Sequence, residues 1–295
     1  MDRAGVKNDG HEARQSEADR SVRFLFRHFL SLGWHVQPID CHGNATGPST
    51  GICTSGCLFE YRGLYSILTA GHVLKYIERE FLKSGKYAVH GCCLLDSFGH
   101  EAISRHPIPF VYEDAARFFI DDESDGLDFG LVSLSDYYLA LIDKNGVVAI
   151  REENWRNQGK ARIDWYAMMG LPSCNTKVSN QSIGGRSFTD YGVSPTILRI
   201  NRLDKAPEDS RQTSYERFVG QIDDQVPIGD IDGMSGGPIV GFGKSDGRDA
   251  YWVVAIQSGW LPMRRVTFGC PVPTIGALLD EYTEEALSES EKRPG

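Results

Sequence analysis

The chain has 295 residues, of which 41% are hydrophobic, and a formal net charge of -9. That length suits roughly two domains or one two-lobed unit, with a core large enough to need no disulfide or metal staple. The balance of 31 Lys+Arg against 40 Asp+Glu argues against nucleic acid or an anionic membrane as the main partner, because phosphate binding rests on surplus cations. No apolar run approaches the roughly 18–20 residues needed to cross a bilayer.

In chain order, residues 1–20 are polar and aperiodic and are expected to be a disordered tail without a secretory or mitochondrial signal. In 21–47, Val22, Leu25, Phe26, Phe29 and Leu30 recur at helical spacing, which predicts an amphipathic helix stopped near Gly33 and followed by a linker. From residue 48 short β-branched and aromatic runs alternate with Gly, Asn, Asp and Ser. Leu58–Tyr61, Tyr65–Leu68, Gly130–Leu134, Ala167–Met169, Ile197–Ile200 and Trp252–Ile256 are examples. This texture predicts an all-β sandwich or barrel. Residues 201–230 read as a long surface loop. Over 274–295, Ile275, Leu278, Leu279 and Tyr282 follow the potential cap Thr274, predicting a C-terminal helix and tail.

Seven cysteines, an odd number with no export signal, point to reduced thiols in a cytoplasmic setting. Cys53 and Cys57 with Cys41 and His42 lack a matching second pair, so no metal centre and no cofactor is expected. The acidic run 121–126 fails as a calcium loop, since its twelfth position is Val132 rather than Glu.

Three segments carry chemistry. Leu68-Thr69-Ala70-Gly71-His72-Val73 leads a strand into a small-residue turn that presents a histidine. In Leu127-Asp128-Phe129-Gly130-Leu131-Val132 an acidic residue opens an apolar strand. Gly233-Met234-Ser235-Gly236-Gly237-Pro238 holds a serine in a glycine-rich bend. Acyl transfer by a serine needs a base for its proton, a carboxylate that orients that base, and N–H donors aimed at the developing oxyanion. His72 supplies the base in this reading, Asp128 the orienter and Ser235 the nucleophile. The N–H groups of Gly233 and Ser235 form the oxyanion hole. A Gly-x-Ser-Gly-Gly-Pro string arises by chance on the order of once per thousand chains of ordinary composition.

With the order His, Asp, Ser, the sequence resembles the trypsin-like (chymotrypsin-fold) serine peptidases of bacterial intracellular type, over roughly residues 48–280. Thr69–His72, Asp128–Val132 and Gly233–Pro238 resemble the family's three motifs, and Gly170-Leu171-Pro172 resembles a further element of bacterial members. The resemblance implies two orthogonal six-stranded antiparallel barrels, the first over 48–155 with His72 and Asp128 and the second over 156–273 with Ser235. It also implies an endopeptidase that acts on protein or peptide substrates through an acyl-enzyme. Ala255–Gly259 resembles the strand that pairs with substrate backbone, which makes Gln257, Ser258 and Gly259 candidate substrate-binding residues. The resemblance further places the specificity pocket at the residues just before Ser235, at 257–259 and at 269–271. Asp230 lies before Ser235, either as a charge partner for a basic side chain or as an exposed loop carboxylate.

Two departures bear on activation. Met234 stands where digestive members carry an aspartate that pairs with a newly cut N-terminus, and Val73 replaces the cysteine after the histidine. Activation by a cleaved N-terminus is therefore not expected. A regulatory protein partner is a further expectation. The alternative reading is a latent or inactive fold of this kind serving as a protein-binding scaffold, and an esterase is a weaker third.

Overall fold

Two groups of strands stand on either side of a shared apolar layer. The structure, a computed structural model, describes residues 24–96, 107–156, 162–183, 186–223 and 230–291. The first group is β1 (Ser31–Pro38), β2 (Thr50–Cys53), β3 (Cys57–Tyr61), β4 (Leu64–Thr69), β5 (Tyr87–Leu95), β6 (Ile108–Phe110), β7 (Arg117–Asp122) and β8 (Leu127–Ser133). They make two four-stranded antiparallel sheets, ordered β2-β1-β5-β6 and β3-β4-β8-β7. Two helices belong to this lobe, α1 (Gly71–Tyr76) and α2 (Asp136–Lys144). The β3–β4 hairpin shows how local sequence sets the register. Arg62 and Gly63 both take positive φ, the geometry of a two-residue turn whose twist suits a hairpin, and Tyr61 then pairs with Leu64. Trp34, Leu32, Ile67, Leu74, Val132 and Tyr112 fill the space between the sheets.

The second group is β9 (Arg162–Gly170), β10 (Thr176–Ile183), β11 (Arg186–Val193), β12 (Thr196–Arg202), β13 (Phe218–Ile222), β14 (Pro238–Ser245), β15 (Arg248–Leu261) and β16 (Val266–Pro271). Six of these close into a barrel ordered β12-β13-β16-β15-β14-β9, while β10 and β11 form a separate hairpin. Met168, Leu198, Ile200, Ile222, Ile239 and Val254 pack inside it. Between the lobes lies a third cluster, to which Leu68 and Phe129 contribute from the first lobe and Met169, Leu171, Ile256 and Cys270 from the second. Helix α3 (Val272–Glu291) leaves β16 and returns to the first lobe. There Asp280 accepts from Arg62, Arg156 and the Tyr61 hydroxyl.

The fold is mostly β, as the alternating runs imply, and it contains one closed six-stranded barrel. The first lobe shows two open four-stranded sheets instead of a closed barrel. Several boundaries also move. Within the expected helix-and-linker segment 21–47, Phe24 and Leu25 are helical and run into a 3-10 turn at Phe26–His28, while the supposed linker holds the core strand β1. The reason is pairing: β1 hydrogen-bonds along both edges, to β2 and to β5. The 201–230 loop contains β13, which closes the barrel. Helix α2 lay outside the sequence expectation, and α3 begins at Val272, two residues earlier than expected. The tail 1–20 lies outside the described residues. No helix among the described residues is long and apolar enough to cross a membrane.

Candidate active site

Strand β4 ends at Thr69, and the chain turns through Ala70 into α1. A side chain at Gly71 would place its Cβ 1.8 Å from the Ile120 carbonyl oxygen, so only glycine lets this turn lie flush on β7. His72 is thereby presented beside β8, whose Asp128 points back at it. Asp128 uses both carboxylate oxygens on this one residue. Oδ1 accepts the His72 backbone N–H at 2.9 Å, and Oδ2 pairs with Nδ1 at 2.6 Å. The first contact satisfies a backbone donor that the start of a helix leaves open. The second assigns the ring proton to Nδ1 and leaves Nε2 as an acceptor. Burial alone would favour neutral imidazole. The Asp128 hydrogen bond and charge, with Asp121 and Glu123 behind them, outweigh burial and raise the His72 pKa above its ordinary 6.5. Asp121 lies opposite Asp128 across the β7–β8 pair, and Lys75 compensates it at 2.8 Å.

Ser235 is half-buried in the bend before β14. The bend follows backbone constraints. Gly233 has φ +87 and Gly236 φ +92, both in the left-handed region. The Gly236 N–H donates to the Gln257 carbonyl at 2.8 Å, and the Gln257 N–H donates to the Gly237 carbonyl at 2.9 Å, which clips the bend to β15. A Cβ at Gly236 would lie 2.1 Å from the Thr69 hydroxyl and 2.8 Å from the Ala70 nitrogen. The serine bend therefore abuts the segment that delivers His72, with the lobes meeting between them. Met234 is fully buried, with its Cβ against Gly170, and an apolar contact holds the position in place of an ion pair. Among the described residues, the N–H groups of Gly233 and Ser235 donate to no acceptor. They are the two donors assigned to the oxyanion.

The candidate substrate side divides unevenly. β15 pairs with β14 only as far as Ile256, so the stretch from Ser258 to Leu261 keeps one strand edge beyond the end of β14. Ser258 and Gly259 are half-buried there. Gln257 is 1% exposed, and its side chain turns inward to donate to the Gly259 carbonyl at 3.0 Å. Only its backbone takes part in shaping the site. Asp230 is exposed, and its Oδ1 accepts the Asp232 N–H at 3.0 Å, so this carboxylate caps its own loop.

The seven cysteines are free. Burial pushes the thiols of Cys53, Cys93 and Cys270 up to about 12 and raises Cys57 and Cys92 as well. None of these five is a thiolate nucleophile near neutral pH. No group of three or more His, Cys, Asp or Glu among the described residues has metal-binding geometry.

Sequence reasoning missed Ser55 and the backbone of Ser173, both of which bond the serine bend. The only sequence signal was a small polar stretch, Thr54-Ser55-Gly56, directly before an apolar strand. No protein-family model matches this chain, and no curated protein matches it.

Proposed function

We propose that the protein is a serine endopeptidase of trypsin-like type that hydrolyses peptide bonds in protein substrates through an acyl-enzyme. The observation that carries this reading is the two-point grip of Asp128 on His72, beside a glycine bend with two undonated N–H groups flanking the position of Ser235. In this reading the open first lobe is the counterpart of the second barrel, and the two correspond to the orthogonal six-stranded barrels of that fold.

The chemistry runs as follows. The Ser235 Oγ attacks the scissile carbonyl carbon while its proton passes to Nε2 of His72. The carbonyl π pair moves onto oxygen, where the Gly233 and Ser235 N–H groups receive the charge. Asp128 holds the imidazolium that results. The tetrahedral intermediate collapses, the C–N bond breaks, and His72 passes its proton to the leaving amine. Water then attacks the acyl carbon with His72 again as base, and Ser235 leaves with a proton restored. The open edge of Ser258–Leu261 suits an extended substrate backbone added as a strand.

The test is a fluorophosphonate probe with the modified residue mapped by mass spectrometry. The expected result is labelling at Ser235 that is lost in Ser235→Ala and in His72→Ala. Silence of the folded wild-type protein in all conditions would favour the latent scaffold. Ester turnover without peptide turnover would favour an esterase.

A further inference from the structure

Ser55 lies in the short connection between β2 and β3 and is fully buried. Its hydroxyl makes two bonds to the other lobe. Oγ donates to the Gly233 carbonyl at 2.7 Å and accepts the Leu171 N–H at 2.7 Å, from residues 178 and 116 positions away. On its own lobe, the Ser55 carbonyl accepts the Thr69 hydroxyl at 2.7 Å. Thr69 stands three residues before His72.

These contacts close a circuit. Leu171 leads through Pro172 to Ser173, whose N–H donates to the Asp232 carbonyl at 2.8 Å. Asp232 and Gly233 share one planar peptide, so the carbonyl held by Ser173 aims the Gly233 N–H the opposite way. The next peptide is held at both ends, its carbonyl by Ser55 and its Met234 N–H by the Ile231 carbonyl at 3.0 Å. Gly233 has no Cβ to oppose rotation of the peptides on either side of it. Hydrogen bonds must therefore set their direction, and the circuit that supplies them begins and ends on one hydroxyl.

The geometry points to Ser55 as the positioning residue that holds the anion-binding Gly233 N–H of the Ser235 bend in register with His72. This role rests on the hydrolase reading. Ser55 touches no reacting atom; it acts through Gly233 and through the Leu171–Ser173 segment. It differs from a plain packing residue because both acceptor and donor functions of its hydroxyl are used across the lobe boundary.

The experiment compares wild type with Ser55→Ala in the rate of fluorophosphonate labelling across pH, alongside thermal melts. The expected result is a fall of about 100-fold in the maximal labelling rate, the scale of a misplaced reacting geometry, with the apparent pKa of His72 unmoved. Ser173→Pro is a second variant at an exposed position. It removes the N–H that holds Asp232 and opens the same circuit should Ser55→Ala fail to fold, and it is expected to slow labelling in the same way. Labelling of folded Ser55→Ala at the wild-type rate, with only a lower melting temperature, would overturn the proposal and leave the hydrolase reading intact. A shift of the apparent pKa together with the rate would also overturn it, because the effect would then run through His72. Silence of the wild type itself would overturn the hydrolase reading and the role of Ser55 with it.

Discussion

The two sides of the candidate site are held by different physical means. On the His72 side a charged side chain does the holding: Asp128 grips one residue through both of its oxygens, and charge and orientation come together. On the Ser235 side the shape is set by backbone, with left-handed glycines, a clip to β15, a bond to Ser55 across the lobe boundary and one to Ser173 within the second lobe. Electrostatic positioning tolerates small displacements and responds to pH. Backbone positioning tolerates almost no added atom and is indifferent to pH. The comparison shows how one site combines a titratable half with a rigid half.

The largest expected effects break each side chemically. Ser235→Ala is expected to lose roughly 10⁴–10⁶-fold in kcat, and Asp128→Asn about 10⁴-fold, in peptide-library turnover with folding checked by circular dichroism. Equal activity in either variant would remove that residue from the mechanism.

Gly236→Ala tests the rigid half. Its Cβ would meet the Thr69 hydroxyl at 2.1 Å and the Ser55 carbonyl at 2.5 Å, at a φ of +92. A loss of about 3 kcal/mol in urea unfolding is expected. A variant as stable as the wild type would mean that the two loops do not abut.

Acid sharpens the contrast through two histidines of opposite sign. His28 is buried, donating from Nδ1 to the Val148 carbonyl and accepting the Tyr251 hydroxyl at Nε2. Burial lowers its pKa from 6.5 to about 4 against the pull of the Val148 bond, with Arg27 adding to the fall. As pH falls from 6.5 towards 4, the unfolded chain binds a proton that the folded chain refuses. Stability should then drop by about 3 kcal/mol, and His28→Gln should flatten that slope in melts taken across pH. The raised value of His72 works the other way: its pairing contributes below pH 6.5 and is lost as pH rises through the folded value. Because the proposed reaction needs the neutral ring, the labelling rate should climb with pH through a midpoint above 6.5. A midpoint below 6.5 would contradict the Asp128 contact.

The smallest effect lies outside the candidate site. Asp280 joins α3 to Arg62 and Arg156 at 2.8 Å each, on partly exposed side chains. Asp280→Asn should cost at most about 1 kcal/mol in thermal unfolding and leave labelling unchanged.

What the amino-acid sequence determined alone was local. Short apolar runs marked β3, β4, β8, β9, β12 and β15, and the helical spacing after Thr274 marked α3. The segments around His72, Asp128 and Ser235 carried the proposed chemistry, because each type of reactive group needs a short and recognisable backbone setting. Only the tertiary structure decided that Ser31–Pro38 is a core strand, since its hydrogen-bond partners on β2 and β5 lie elsewhere along the chain. It alone turned Gln257 inward and engaged Asp230 with its own loop. It alone gave Ser55 its partners, because a buried hydroxyl is defined by what folding brings to it, and nothing in its neighbours along the chain encodes residues 116 and 178 positions away.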